Sequence, residues 1–403
     1  MPQGPVHRRC VYYISGFDPK GASHYHALYR EQAARSSVAT DLRIEVGQRK
    51  KSSSGNAAWM LQAGAGDAQT QTQTHYEFMR WDDIVRQHWP RSQWRLIRDV
   101  VATTGFNLRH GALYRMLQAS WPPFIALFSP FVLLMAVIVG VPLAGGLAAA
   151  AAWYLSGQLN VAALAASGAV AAVLLAARWL EKRLSMSWLM RSYAFTARQA
   201  QGAVPELTER INGHARLLIE RATAATDDEI LLTGHSSGTI LAVSILAQAL
   251  RLDPDLARRG PQISLMTLGQ CMPMLGCLPH AQAFRDDLRL LGRAADICWI
   301  DFSAPPDGCS FALCDPLQAC GVDLPGRLPD RPRLLSPRFV QMFDAPAYAA
   351  LRRDKFRMHF QYLMAADKPA SYDYFAITAG DQTLADRFAA HPSITDFKGL
   401  RWL

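Results

Sequence analysis

Gly234-His235-Ser236-Ser237-Gly238 has residue types and spacing suited to nucleophilic chemistry. It fits the pattern G-x-S-x-G, which carries meaning only between a strand and a helix. That context is predicted here. The compact apolar run Glu229-Ile230-Leu231-Leu232-Thr233 precedes it, and a helix from Ser237 to about Leu250 follows. Small residues at Gly234 and Gly238 let the chain turn sharply. Ser236 is then held in a strained elbow with its hydroxyl above the sheet. The amide of Ser237, at the helix N-terminus, points to the same spot. Ser236 is the candidate nucleophile. The competing reading is an ordinary Gly/Ser turn.

Other elements are read from apolar spacing. Before residue 116 the chain is strand-rich. Val11–Ser15, Leu42–Val46, Ala58–Gln62 and Thr74–Met79 read as strands, and Ser23–Ala34 as a helix. A loop is expected over Gly64–Gln73, and a hairpin loop at Arg49-Lys50-Lys51 with the serines after it. Beyond residue 200, Val204, Leu207, Ile211, His214 and Leu218 keep helical spacing. Then Ile263–Leu268 and Ile297–Phe302 read as strands around a helix over Ala281–Leu291. Strands alternating with helices imply an α/β fold on a mostly parallel sheet.

From Met116 to Ala177 there is no Asp, Glu, Lys, Arg or His. A spanning helix needs about 20 apolar residues. Phe124 to about Ala151 and Val161 to Ala177 each supply that, separated by the polar turn Ser156–Asn160. Pro130 and Pro142 are expected bend points in the longer segment. Trp121, Trp153, Tyr154 and Trp179 stand where interfaces should be. Arg109 and Arg115 precede the hairpin, and Arg178, Lys182 and Arg183 follow it. The turn is uncharged, so both flanks are expected in the cytoplasm, at a bacterial inner membrane. The alternative is a buried pair of soluble helices. The chain divides into 1–118 and 185–403, two parts of one domain, interrupted by a transmembrane hairpin over 119–184.

The 403 residues are 50% hydrophobic and carry a formal net charge of +9. The basic residues are mostly scattered arginines, so no nucleic-acid partner is expected. Seven cysteines form no CxxC pair, which argues against zinc and against a disulfide framework. No signal peptide is read at the N-terminus, where the apolar run Val11–Ile14 is too short. No metal or cofactor is called for.

With the elbow in its strand–helix context, the chain resembles the α/β-hydrolase superfamily, particularly its lipase and esterase branches. It also looks like a family of uncharacterised membrane hydrolase-like proteins. The resemblance implies a second oxyanion-hole amide after an earlier strand. Ile14-Ser15-Gly16-Phe17 suits that position, with Phe17 donating beside Ser237; a plain strand-end turn is the alternative. The superfamily's chain order is Ser, then acid, then His. Asp307, in the loop after Ile297–Phe302, is the first choice for the acid; Asp315 is the second and Asp301 the third. The base is His359, in an aromatic stretch, or else His391. His24 and His26 come too early for that order but could line the pocket. The irregular stretch Ser303–Ser336 reads as a lid or cap. The expected activity is cleavage of an acyl ester, with lipids among the candidate substrates, through Ser236, His359 and Asp307 and an acyl-enzyme. An acyltransferase or thioesterase would use the same residues, and an inactive membrane scaffold is the reading from a different class. The sequence leaves the oligomeric state open.

Overall fold

Strands from both sides of the apolar hairpin hydrogen-bond into one sheet. The structure is a computed structural model and describes residues 4–65, 71–90 and 92–394. The strands are β1 (Arg8–Ile14), β2 (Leu42–Val46), β3 (Lys50–Lys51), β4 (Ala57–Ala65), β5 (Thr72–Phe78), β6 (Glu229–His235), β7 (Gln262–Leu268), β8 (Cys298–Phe302) and β9 (Arg333–Leu335). Their order is β2-β4-β5-β1-β6-β7-β8-β9, with β3 beside β4. From β5 to β9 neighbours run parallel; β2, β3, β4 and β5 pair antiparallel at one side. The fold is mixed α/β on a mostly parallel sheet of nine strands among the described residues.

The central strands are apolar on both faces, as a sheet covered by helices on both sides requires. Cys10, Tyr12 and Ile14 of β1 join one buried cluster, with the helices Pro205–Ala224, Gly238–Leu252 and Gln282–Arg293. Val11 and Tyr13 join the other, with the helices Ala22–Ala39 and Tyr374–Ala379. The pleat alternates side chains, so one strand feeds two cores.

A buried ion pair ties the two parts of the chain. Arg9 of β1 lies opposite Glu229 of β6 in the parallel register. Its Nε donates to Glu229 Oε2 at 2.8 Å, with both side chains fully buried. The remaining guanidinium nitrogens donate to the carbonyls of Gly380 and Gln382. Glu229 Oε1 accepts from Ser264 Oγ and from the Leu384 amide, each at 2.8 Å. Both charges are therefore met by several hydrogen bonds, as a buried pair requires.

Two expectations are corrected. Lys50 and Lys51 are not loop residues: they pair with Ala58 and Ala57, and the turn itself is Ser52–Asn56, with Gly55 at φ +83°. The stretch Ser303–Ser336 is not irregular throughout. Asp315 caps a short helix, Pro316–Ala319, and Leu334 and Leu335 are buried in β9, which extends the sheet. The loop read over Gly64–Gln73 falls partly on residues 66–70, outside the described residues.

The apolar interval forms two helices, Trp121–Ser156 and Leu159–Leu184, both long and apolar enough to cross a membrane. The first runs on through Pro130 and Pro142. Leu143, Leu147, Leu155, Leu164 and Leu175 are exposed. The pair is thus not the buried core of a soluble fold. Gly145 fits against Val170 so closely that a Cβ there would lie 3.1 Å from its methyl. Small residues allow this close approach between helices.

Removing one partner of the buried pair strands the other charge. Arg9→Met should cost about 3–5 kcal/mol of folding stability. Arg9→Met combined with Glu229→Leu should lose less than the single change. Thermal and denaturant unfolding of the three proteins in detergent checks this; an unchanged Arg9→Met protein would overturn it.

Candidate active site

The turn after β6 forces Ser236 into the left-handed region, at φ +57°. A non-glycine residue there is strained and persists only where its surroundings impose it. The two glycines supply the room. A Cβ on Gly234 would lie 2.6 Å from the Gly238 carbonyl oxygen. One on Gly238 would lie 2.5 Å and 2.6 Å from the carbonyl oxygens of Ile14 and Ser15. The elbow is therefore pressed against the end of β1. The Ser236 amide donates to Leu268 O at 2.9 Å, and Thr239 Oγ1 donates to Ser236 O at 2.6 Å.

Ser236, His359 and Asp307 are brought together. Ser236 Oγ lies 2.8 Å from His359 Nε2, and His359 Nδ1 lies 2.9 Å from Asp307 Oδ2. All three are buried. Asp307 follows β8; its own amide donates to Ala304 O at 2.9 Å, which shapes the loop. Its carboxylate also accepts from the Cys309 amide and from the Tyr362 hydroxyl, each at 3.0 Å. Burial pushes this carboxyl up, but the His359 ring and those donors outweigh it and hold it below the ordinary value. An ionised carboxylate only accepts. His359 Nδ1 therefore carries the proton, and Nε2 is left to accept from Ser236. This is the geometry of a general base beside a nucleophile.

His359 stands in the last turn of the helix Lys355–Phe360, whose N-cap Asp354 accepts from the Arg357 amide. Its backbone carbonyl is held by His235, with Nε2 at 2.8 Å. Burial, reinforced by the His359 ring, pushes His235 down to about 3. His235 is thus neutral, and Nε2–H donates to the carbonyl. Its Nδ1 is buried without a hydrogen-bond partner.

The loop Ser15-Gly16-Phe17 lies against the elbow. A Cβ on Gly16 would stand 2.9 Å from Ser236 Cβ, so only glycine lets the loop come this close. The Phe17 amide does not stand free, however. It donates to Ser237 Oγ at 2.8 Å. The Phe17 carbonyl accepts from Trp188 Nε1 at 2.8 Å. Trp188 sits in the first turn of the helix Met186–Ala200, directly after the second apolar helix, and its ring lies 6.1 Å from that of His359. The Ser237 amide donates to no group among the described residues.

The other candidates lie elsewhere. Asp315 accepts from the Leu317 and Gln318 amides and pairs with Arg327 at 2.6 Å, so its carboxylate is a cap. Asp301 sits within β8, bound by Thr267 Oγ1 and Ser303 Oγ, and burial raises it to about 7. His391 is exposed and packs on Phe388. His24 is exposed, and His26 reaches the Gly47 carbonyl; neither touches the elbow.

Sequence reasoning missed His235, Tyr362 and Trp188. His235 is inside the pentapeptide, and Tyr362 is in the aromatic stretch around His359, so both had a local signal. Trp188 had none beyond its position after the hairpin. It also missed the thiols. Cys271 Sγ lies 3.8 Å from Ser236 Oγ, and burial pushes it up to about 12. Donor atoms of Asp307, Cys309 and His359 lie within 4.8 Å of one another, close enough to hold a metal ion. Both nitrogens of His359 already serve Ser236 and Asp307, and burial pushes the Cys309 thiol far up. A metal would have to break that chain of hydrogen bonds and deprotonate a buried thiol.

The chain matches no family model, no curated protein and no solved structure.

Between pH 6.5 and about 3 the folded state keeps His235 neutral, while the unfolded state takes up a proton. His214, pushed down to about 4 by burial, acts in the same direction. Stability should therefore fall as pH drops from 6.5 to 4. Each such histidine contributes a slope of at most about 1.4 kcal/mol per pH unit. His235→Asn should flatten that slope. Denaturant unfolding at a series of pH values measures it; equal slopes in both proteins would refute the assignment.

Proposed function

We propose that this chain is a membrane-anchored serine hydrolase of α/β-hydrolase type that cleaves an acyl ester. One observation carries the reading. Ser236, at φ +57° on a strand–helix turn, is hydrogen-bonded through His359 to a buried, ionised Asp307. His359 Nε2 takes the Ser236 proton as Oγ attacks the ester carbonyl. Asp307 holds the tautomer and stabilises the imidazolium. The proton passes to the departing alkoxide, and the acyl group stays on Oγ. Water, deprotonated by His359, then releases the acid and restores Ser236.

Amides of Ser237 and Phe17 are the donors proposed for the developing oxyanion. The Phe17 amide serves only after Ser237 Oγ releases it. Losing one such donor costs on the order of 100–1,000-fold in rate.

The strand order supports the superfamily reading. The nucleophile follows β6, the acid follows β8, and the histidine comes after β9, in the order Ser, Asp, His. Ser236 and Asp307 stand beyond the carboxyl ends of β6 and β8, parallel strands on either side of β7, and open α/β sheets form their sites at that edge.

The membrane reading rests on the two apolar helices and their charges. At 1.5 Å per residue the 36-residue helix is about 54 Å long and the 26-residue helix about 39 Å. Both exceed the roughly 30 Å of a hydrocarbon core. Arg109 and Arg115 precede the pair, Arg178, Lys182 and Arg183 stand in the last two turns of its second helix, and residues 156–160 are uncharged. The hydrolase domain therefore faces the cytoplasm.

Ser236→Ala should abolish labelling by a fluorophosphonate and turnover of p-nitrophenyl butyrate. His359→Ala should fall to nearly the same floor, on the order of 10,000-fold or more below wild type, and the double variant little further. Asp307→Asn should lose about 10,000-fold, because an amide fixes the wrong tautomer. Asp315→Asn and His391→Ala should stay near wild type. Persistent labelling of folded Ser236→Ala protein would end the hydrolase reading.

A single cysteine near Gly157 should react with a membrane-impermeant maleimide only from the non-cytoplasmic side. Reaction from the cytoplasmic side alone would reverse the orientation.

A further inference from the structure

Where the chain enters its first apolar helix, it walls a cavity that also touches the acid of the hydrogen-bonded chain. The cavity measures about 490 Å³, within the roughly 300–1,000 Å³ of small-molecule sites. Leu117, Trp121 and Pro122 form one wall; Pro305, Asp307 and Ala312 belong to the other. Asp307 is the only charged lining residue among the described residues, and its carboxylate is already held by His359, the Cys309 amide and Tyr362. The cavity therefore offers a ligand no free charge, only the neutral side chains of Gln118, Ser120 and Ser310 among its apolar walls. The larger groove, about 980 Å³, is lined by Arg86, Arg95, Arg98 and Arg198 and touches none of Ser236, His359 and Asp307.

Position decides what enters. Trp121 opens the helix Trp121–Ser156 and is 64% exposed, and Leu117, one turn earlier, is 40% exposed. An exposed tryptophan at the start of an apolar helix marks the interface of a bilayer. The cavity's rim is thus level with the ester groups of the lipids, where their acyl chains begin. Trp188 and the 41%-exposed Phe356, 5.8 Å apart, add apolar surface beside His359, where the second apolar helix leads into the domain. One end of the hairpin thus borders Asp307 and the other borders His359.

We propose that this cavity takes the acyl chain of a bilayer lipid ester, so that the substrate of Ser236 is drawn from the membrane and not from solution. The proposal rests on the serine-hydrolase reading for its chemistry. The chain leaves one apolar surrounding for another, and only the ester carbonyl must be withdrawn to the elbow. A soluble ester would have to cross the same rim without a chain to anchor it.

The test uses the full chain in phosphatidylcholine vesicles doped with a phospholipid carrying a diazirine on its acyl chain. Irradiation and peptide mapping should find cross-links on 117–122 and on 305–312. Ala119→Trp and Ser120→Trp, two independent ways to fill the cavity, should each reduce those cross-links severalfold. They should also lower the ratio of kcat/KM for palmitoyl over butyryl p-nitrophenyl esters about tenfold. Cross-links confined to the apolar helices beyond Phe124, or a ratio unmoved in both folded variants, would overturn the proposal. Cross-linking needs no turnover. A protein that labels in the cavity but shows no Ser236-dependent hydrolysis would refute the hydrolase reading and leave the lipid site standing.

Discussion

The constraint on which the site depends is the approach of Gly238 to the carbonyls of Ile14 and Ser15. A single Cβ would lie 2.5 Å from one of them. Because the two backbones touch, β1 and β6 must be neighbours, and the elbow must sit on the end of β1. The same approach brings Gly16 against Ser236, so the loop carrying Phe17 reaches the Ser236 side chain. Residues 14–17 and 234–238 are more than two hundred positions apart, separated by the whole apolar hairpin. The sheet closes over that insertion because hydrogen bonds between β1 and β6 and the buried Arg9–Glu229 pair hold the two parts together.

Buried polar groups around the site fall into two kinds. Asp307 is ionised because a ring nitrogen, an amide and a hydroxyl meet its oxygens. Asp301, six residues earlier and equally buried, meets only two hydroxyls and is raised to about 7. The contrast is one of partners, since desolvation acts on both. His235 shows the same logic with the sign reversed: burial keeps it neutral, and a neutral ring can donate one hydrogen bond to the backbone of His359 without placing a charge beside the His359 ring.

Trp188 joins the hairpin to the loop beside Ser236. It follows the second apolar helix within four residues of that helix's end and donates to the Phe17 carbonyl. Phe17 in turn gives its amide to Ser237 Oγ. The loop next to Ser236 is thus bonded on one side to the elbow and on the other to the helix that leads out of the hairpin. Any shift of that helix is felt at Phe17 through a single indole.

The sequence alone determined the features that depend on local pattern. Ser236 and its two glycines were legible because a sharp strand–helix turn needs small residues at fixed offsets. The two apolar helices were legible because an uncharged run from Met116 to Ala177 has few other uses. Strands such as β6 and β7 announced themselves as continuous apolar runs. What only the tertiary structure decided was which distant side chains meet. Asp307, Asp315 and Asp301 all lie in or after the same strand, and no spacing rule separates them. The loop's own hydrogen bonds turn Asp307 toward His359, while Asp315 spends its carboxylate on a helix cap. Lys50, Lys51 and the end of Ser303–Ser336 looked like loop, because two- and three-residue strands carry too little pattern to be seen before a partner strand is present. The engagement of the Phe17 amide by Ser237 was equally invisible, since it joins a loop to a side chain 220 positions away. Contacts of that kind are made by packing, and packing is a property of the whole chain.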